Sequence, residues 1–253
     1  MTSDDVLQAV RHCTSVDGIA RSEKNPANFI KDLIRKTTAS NNWPSNLKAL
    51  RYTAVQKTGK KKVFEFVPYA AGQTEPFPDP YKLHSGVQVY AVQSLSMLNE
   101  AKMLGRKDEA WLVQTAVNLR VVETHFALVS PLKSLITDLI HLQMSLKLRL
   151  TEVDAIYLAR YRDGADILKA GITCEAKQAD ERVLENQLVE QAKAAFTQAK
   201  FDMVVPIALR AVTGKGIYVA EFDAVQATKV STFTQPVLVA EAFYELSPTV
   251  PGI

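Results

Sequence analysis

Residues 151–191, TEVDAIYLARYRDGADILKAGITCEAKQADERVLENQLVEQ, limit what this chain can fold into more than any other stretch. Two apolar runs rich in β-branched residues flank the turn-forming RYRDGADILKAG, which predicts strands 153–159 and 171–177 paired with each other. Val183, Leu184, Leu188, Val189, Ala192 and Ala195 then recur at three- and four-residue spacing, the pattern of an amphipathic helix reaching about 199. Three charges interrupt the strands: Asp154 on the first, Glu175 and Lys177 on the second. Side chains alternate along a strand, so Glu175 and Lys177 share one face, and pairing would set Asp154 beside them. Charges at the end of a central strand need a partner or a metal. The plainer alternative is a cross-strand ion pair on a solvated face, against which stand the apolar flanks of ITCEAK.

These residue types suit a hard divalent cation. Mg²⁺ takes carboxylate and carbonyl oxygens and keeps several waters. Hydrolysis of a phosphodiester needs charge neutralised on the phosphate, a nucleophilic water and a stabilised leaving oxygen, most of which Mg²⁺ can supply. Asp154 and Glu175 are ligand types, and the backbone carbonyl of Ala176 lies between Glu175 and Lys177 as a further one. Lys177 would orient the attacking water, lower its pKa, or stabilise charge on the phosphate.

An Asp followed about twenty residues later by Glu-x-Lys on a strand, and then by an amphipathic helix, resembles the PD-(D/E)xK nuclease superfamily, restriction-endonuclease-like folds in particular. The resemblance covers 145–222, about a third of the chain. It implies an α/β fold with a mixed central sheet flanked by helices. It casts Asp154 and Glu175 as metal ligands and Lys177 as the catalytic lysine, with Mg²⁺ as cofactor and Mn²⁺ able to replace it. Gln178, Gln187 and Gln191 match polar positions that some members place near the site. Val153 stands where many members have proline. Many members also carry an additional acid on an earlier helix, for which Glu100 is the first candidate, with Glu109 and Glu123 behind it. The resemblance implies cleavage of double-stranded DNA by a homodimer, as in a type II restriction endonuclease. A structure-specific or repair nuclease, and a non-catalytic DNA-binding subunit of a defence complex, are the alternatives.

The remainder divides near Tyr81, after the proline-rich AAGQTEPFPDPYKLHSG, into 1–80 and a nuclease domain 81–253. In the first part, helices are expected over 3–12, from Pro26, and at 45–50, followed by a hairpin of 52–56 with 63–67. Helices followed by a hairpin make an α+β, winged-helix-like region. Its tip would carry Lys57, Lys60, Lys61 and Lys62, suited either to phosphate contact or simply to solubility. Asn41, Asn42 and Arg51 have the donors and acceptors to meet base edges. Further on, 85–105 reads as a helix, 111–129 leans to a strand on its β-branched content, and 132–140 reads as a short helix. Residues 203–211 and 216–222 read as strands around Thr213-Gly214-Lys215-Gly216, and the tail after 244 as frayed.

A net charge of +3 permits nucleic acid without demanding it. No apolar run is long enough for a membrane span. Cys13 and Cys174 form no CxxC pair, TGKG lacks Walker spacing, and no nucleophile elbow is present, so a reducing, cytoplasmic setting without zinc or P-loop chemistry is expected.

Overall fold

The computed structural model describes residues 1–18, 22–24, 33–57, 62–148 and 151–253. They form two compact units: 1–80 with 180–182, and 81–179 with 183–253.

The smaller unit contains α1 (Ser3–Asp17), α2 (Ala39–Asn42), α3 (Ser45–Ala49) and the antiparallel hairpin β1 (Tyr52–Gln56) with β2 (Phe64–Pro68). Thr2 caps α1: its hydroxyl accepts from Asp5 N–H while the Asp5 carboxylate accepts from Thr2 N–H. Ile34, Ala39, Trp43, Ala54, Phe64 and Phe77 make its core. Trp43 stands edge-on to Phe77 at 4.9 Å and donates its indole N–H to Tyr52 O. Most of the helix expected from Pro26, and both Lys60 and Lys61, lie outside the described residues.

The larger unit is a mixed eight-stranded sheet. In chain order its strands are β3 (Gln88–Gln93), β4 (Ile136–Lys147), β5 (Glu152–Asp163), β6 (Asp166–Lys177), β7 (Met203–Val212), β8 (Gly216–Phe222), β9 (Val225–Gln226) and β10 (Leu238–Ser247). They lie side by side as β3-β10-β8-β7-β6-β5-β4, with β9 on β7. The β6–β7 and β3–β10 pairs are parallel and the rest antiparallel. Four helices accompany the sheet: α4 (Asn99–Met103), α5 (Glu109–Asn118), α6 (Val121–Leu128) and α7 (Glu185–Gln198). A parallel pair needs a crossover, which α7 supplies between β6 and β7.

Helices cover both faces. Leu112, Ala116, Val121, Val122 and Phe126 of α5 and α6 pack on Tyr157, Ile172, Cys174, Val205 and Ile207. On the opposite face Leu188, Val189, Ala192 and Ala195 of α7 meet Val204, Ala208 and Ala220. This is why β7 and β8 read as nearly unbroken apolar runs instead of alternating ones. No described helix is long and apolar enough to cross a membrane.

Four expectations are corrected. Residues 111–129 are two helices, not a strand: Asp108 accepts from Trp111 N–H to start α5, and packing against the sheet outweighs the β-branched content. Residues 132–140 turn and enter β4, because β5 offers a ladder that an isolated apolar segment cannot reveal. Within 85–105, β3 pairs with β10, and the helical pattern survives only in a 3₁₀ turn and the short α4. The tail is held, not frayed: Val250 and Ile253 are buried, and Gly214 N–H donates to Ile253 O at 2.8 Å.

Candidate active site

The β5–β6 hairpin closes at Gly164-Ala165, where Gly164 takes the left-handed φ of +60° that a tight turn requires. The ladder runs from Asp163 opposite Asp166 to Ala155 opposite Cys174. One residue further, the same register sets Asp154 across from Glu175. On β6 the even residues Ala170, Ile172, Cys174 and Ala176 enter the core beneath α5 and α6. Thr173 and Glu175 therefore turn to the α7 face.

At the end of β6 the expected residues meet. Lys177 Nζ lies 2.6 Å from Glu175 Oε1 and 2.6 Å from Glu109 Oε1, and donates to the Ala176 carbonyl at 2.9 Å. Ala176 N–H donates to Asp154 Oδ2 at 2.7 Å. Gln191 Nε2, on α7, donates to Glu175 Oε2 and, at 3.0 Å, to Glu152 O. Glu175 and Lys177 are each 3% exposed, whereas Glu109 is 40% exposed, so the cluster opens to solvent on the α5 side.

Burial and the Glu175 carboxylate push the Asp154 carboxyl up to about 7, against the Lys177 ammonium and the Ala176 N–H, which pull it down. Burial alone would lower the Lys177 pKa, but the carboxylates of Glu175, Glu109 and Asp154 outweigh it and hold the lysine above its ordinary value. Lys177 is thus a fixed cation at neutral pH. Cys174 is fully buried, and burial pushes its thiol well up, as for an inert core residue.

The donor set fits a hard cation. Carboxylate oxygens of Glu175 and Glu109 and the Ala176 carbonyl already converge on one positive centre, the lysine ammonium. Gln191 Oε1, Gln187 Oε1 one turn earlier on α7, and Thr173 Oγ1 are buried without a hydrogen-bond partner among the described residues. Buried acceptors of that kind are the ones that water or a hydrated ion satisfies. Among the described residues no three His, Cys, Asp or Glu side chains close on one point, so the carbonyl and solvent must complete any shell.

Of the three candidate upstream acids, one lies against Lys177. Glu100 is exposed on α4 and Glu123 lies 3.6 Å from Arg120, whereas Glu109 reaches Lys177. Asp108 and Glu109 signal a helix start only where a helix follows, and the β-branched content of 111–129 does not announce one. Gln178 donates to Asp108 O at 2.7 Å and so seats the first turn of α5 against β6. In the smaller unit, Lys57 pairs with Glu65 at 3.1 Å and Lys62 is exposed. Asn41 and Asn42 end α2, the latter bonded to Thr38. Arg51 donates to Gln73 O at 2.7 Å and lies over the Tyr69 ring.

No protein-family model, curated protein or solved structure matches this chain. Its chemistry therefore has to be read from its own residues.

Proposed function

We propose that the chain is a Mg²⁺-dependent nuclease of the PD-(D/E)xK type that hydrolyses phosphodiester bonds in double-stranded DNA. The observation that carries this reading is the convergence of Asp154, Glu175, Lys177 and the Ala176 carbonyl at the end of a central strand, with Glu109 beside them. Asp154, Glu175 and the Ala176 carbonyl are the groups that would hold the metal, which when bound neutralises phosphate charge and acidifies a water. Lys177, held cationic, cannot take a proton from that water; it pairs with a phosphate oxygen and stabilises the charge that grows there. Glu109, at the solvent side, counters Lys177 and orients it. Gln191 fixes the Glu175 carboxylate through Oε2. By the same resemblance the protein acts as a restriction-type homodimer whose two sites cut opposite strands and leave 5′-phosphates. The smaller unit, with a winged-helix-like hairpin bearing Lys57 and Lys62, supplies contacts to the DNA backbone.

The test is plasmid cleavage in Mg²⁺ and in Mn²⁺ by the parent and by Glu175→Gln. The parent converts supercoiled plasmid to nicked and linear forms, and the variant slows this by about 10²-fold or more. Equal rates for the two would refute the site.

A further inference from the structure

The loop between α4 and α5, residues 104–108, carries Arg106 and Lys107 up to the turn that supplies Glu109. It is clamped at both sides. Gln178 Nε2 donates to Asp108 O at 2.7 Å, and Lys177 Nζ holds Glu109 Oε1 at 2.6 Å, which ties the loop to β6. The C-terminal turn grips it from the other side. Trp111 Nε1 donates to Pro251 O at 2.7 Å, a Cβ on Gly105 would lie 2.7 Å from Pro251 O, and a Cβ on Gly252 would overlap Arg106 O. Cations on so constrained a loop present their charge at a set distance from the candidate site.

Beside the loop lies a pocket of about 290 Å³ whose lining includes Leu104, Arg106, Asp108, Ala110, Trp111 and Gln114. Asp108 and Ala110 bracket Glu109, so pocket and candidate site share the first turn of α5. Leu104, 76% exposed, gives the pocket an apolar wall although nothing covers it. Arg106 and Gln114 are exposed and make no side-chain hydrogen bond or ion pair among the described residues. An uncommitted guanidinium matches a phosphate, an amide matches the mixed donors and acceptors of a base edge, and an apolar wall matches a base face.

We infer that this pocket binds one nucleotide of the strand being cut, held out of the base stack. Arg106 takes its phosphate, Leu104 its base face and Gln114 its base edge, with Lys107 on the neighbouring phosphate. The inference rests on the nuclease reading and narrows it. Extrusion of a paired base costs unstacking and unpairing, so the protein prefers DNA with an unpaired nucleotide next to the scissile bond.

Fluorescence anisotropy of the full chain in EDTA tests it, with a short labelled duplex, fully paired or carrying one unpaired thymidine. The parent binds the unpaired probe about tenfold more tightly. Arg106→Ala, Leu104→Ser and Gln114→Ala, all at exposed positions, each reduce that preference, and Arg106→Ala also lowers the salt slope by about one. Retention of the preference by all three variants overturns the pocket, as does a parent that shows none. Cleavage of both probes is followed in parallel in Mg²⁺ and Mn²⁺. Lost preference in the variants, with no probe cut by the parent, supports the pocket and sinks the nuclease reading. Cleavage by the parent, with binding unchanged in every variant, sinks the pocket alone.

Discussion

Asp154→Asn is expected to stabilise the protein at pH 8 in the absence of divalent metal, while abolishing the proposed Mg²⁺-dependent cleavage. Asp154 is mostly buried beside Glu175, and its carboxyl is moved from an ordinary 3.8 to about 7. A group whose folded pKa is raised binds its proton more tightly in the folded state than in the unfolded one. Its contribution to stability is therefore complete below pH 4 and is lost as pH rises through about 7. Once ionised it carries a folded-state penalty on the order of 4 kcal/mol. Asparagine cannot ionise, and its Oδ1 can keep the bond from Ala176 N–H. Burial of the amide takes back about 1–3 kcal/mol, so a gain of about 2 kcal/mol is expected at pH 8. Urea denaturation at several pH values from 4 to 8, with a chelator present, reads this directly. At pH 4, where Asp154 is protonated in the folded state, the variant should be the less stable by the amide's burial cost of about 1–3 kcal/mol, and the two curves should cross as pH rises towards 8. Saturating Mg²⁺ should then stabilise the parent and leave the variant unmoved. Parallel curves, or a variant less stable at pH 8, would refute the view that the fold holds Asp154 ionised against its own preference.

Three further outcomes follow from other contacts. Lys177→Met leaves the buried Glu175 without its cation and should lower stability by about 3–5 kcal/mol, while Lys177→Met with Glu175→Gln recovers most of the loss; additive losses in urea denaturation would deny the coupling. Gly216→Ala would set a Cβ against the carbonyl oxygen of Tyr244 on β10, and loss of about 3 kcal/mol or more is expected in thermal unfolding; a variant as stable as the parent contradicts the β8–β10 register. Lys62→Ala should reduce the slope of log affinity against log salt by about one for duplex DNA; an unchanged slope would place the phosphate contacts elsewhere.

Local pattern sufficed for part of this protein. The β5–β6 hairpin, the helix behind it, the β7–β8 hairpin and the β1–β2 hairpin each carry their own turn chemistry and periodicity, so short-range physics selects them. The meeting of Asp154, Glu175 and Lys177 was legible for the same reason: two strands joined by a tight turn can align their ends in few ways. The tertiary structure decided the rest. Residues 88–93 and 136–147 become strands because β10 and β5 lie beside them, and 109–128 becomes two helices because an apolar sheet face has to be covered. No local signal says which partner is near. The choice of Glu109 over Glu100 belongs to this second class. Both begin helices, but only α5 packs where its first turn meets the end of β6. Residue types set the chemistry available to the chain, and long-range packing set which of the acids stands close enough to Lys177 to share it.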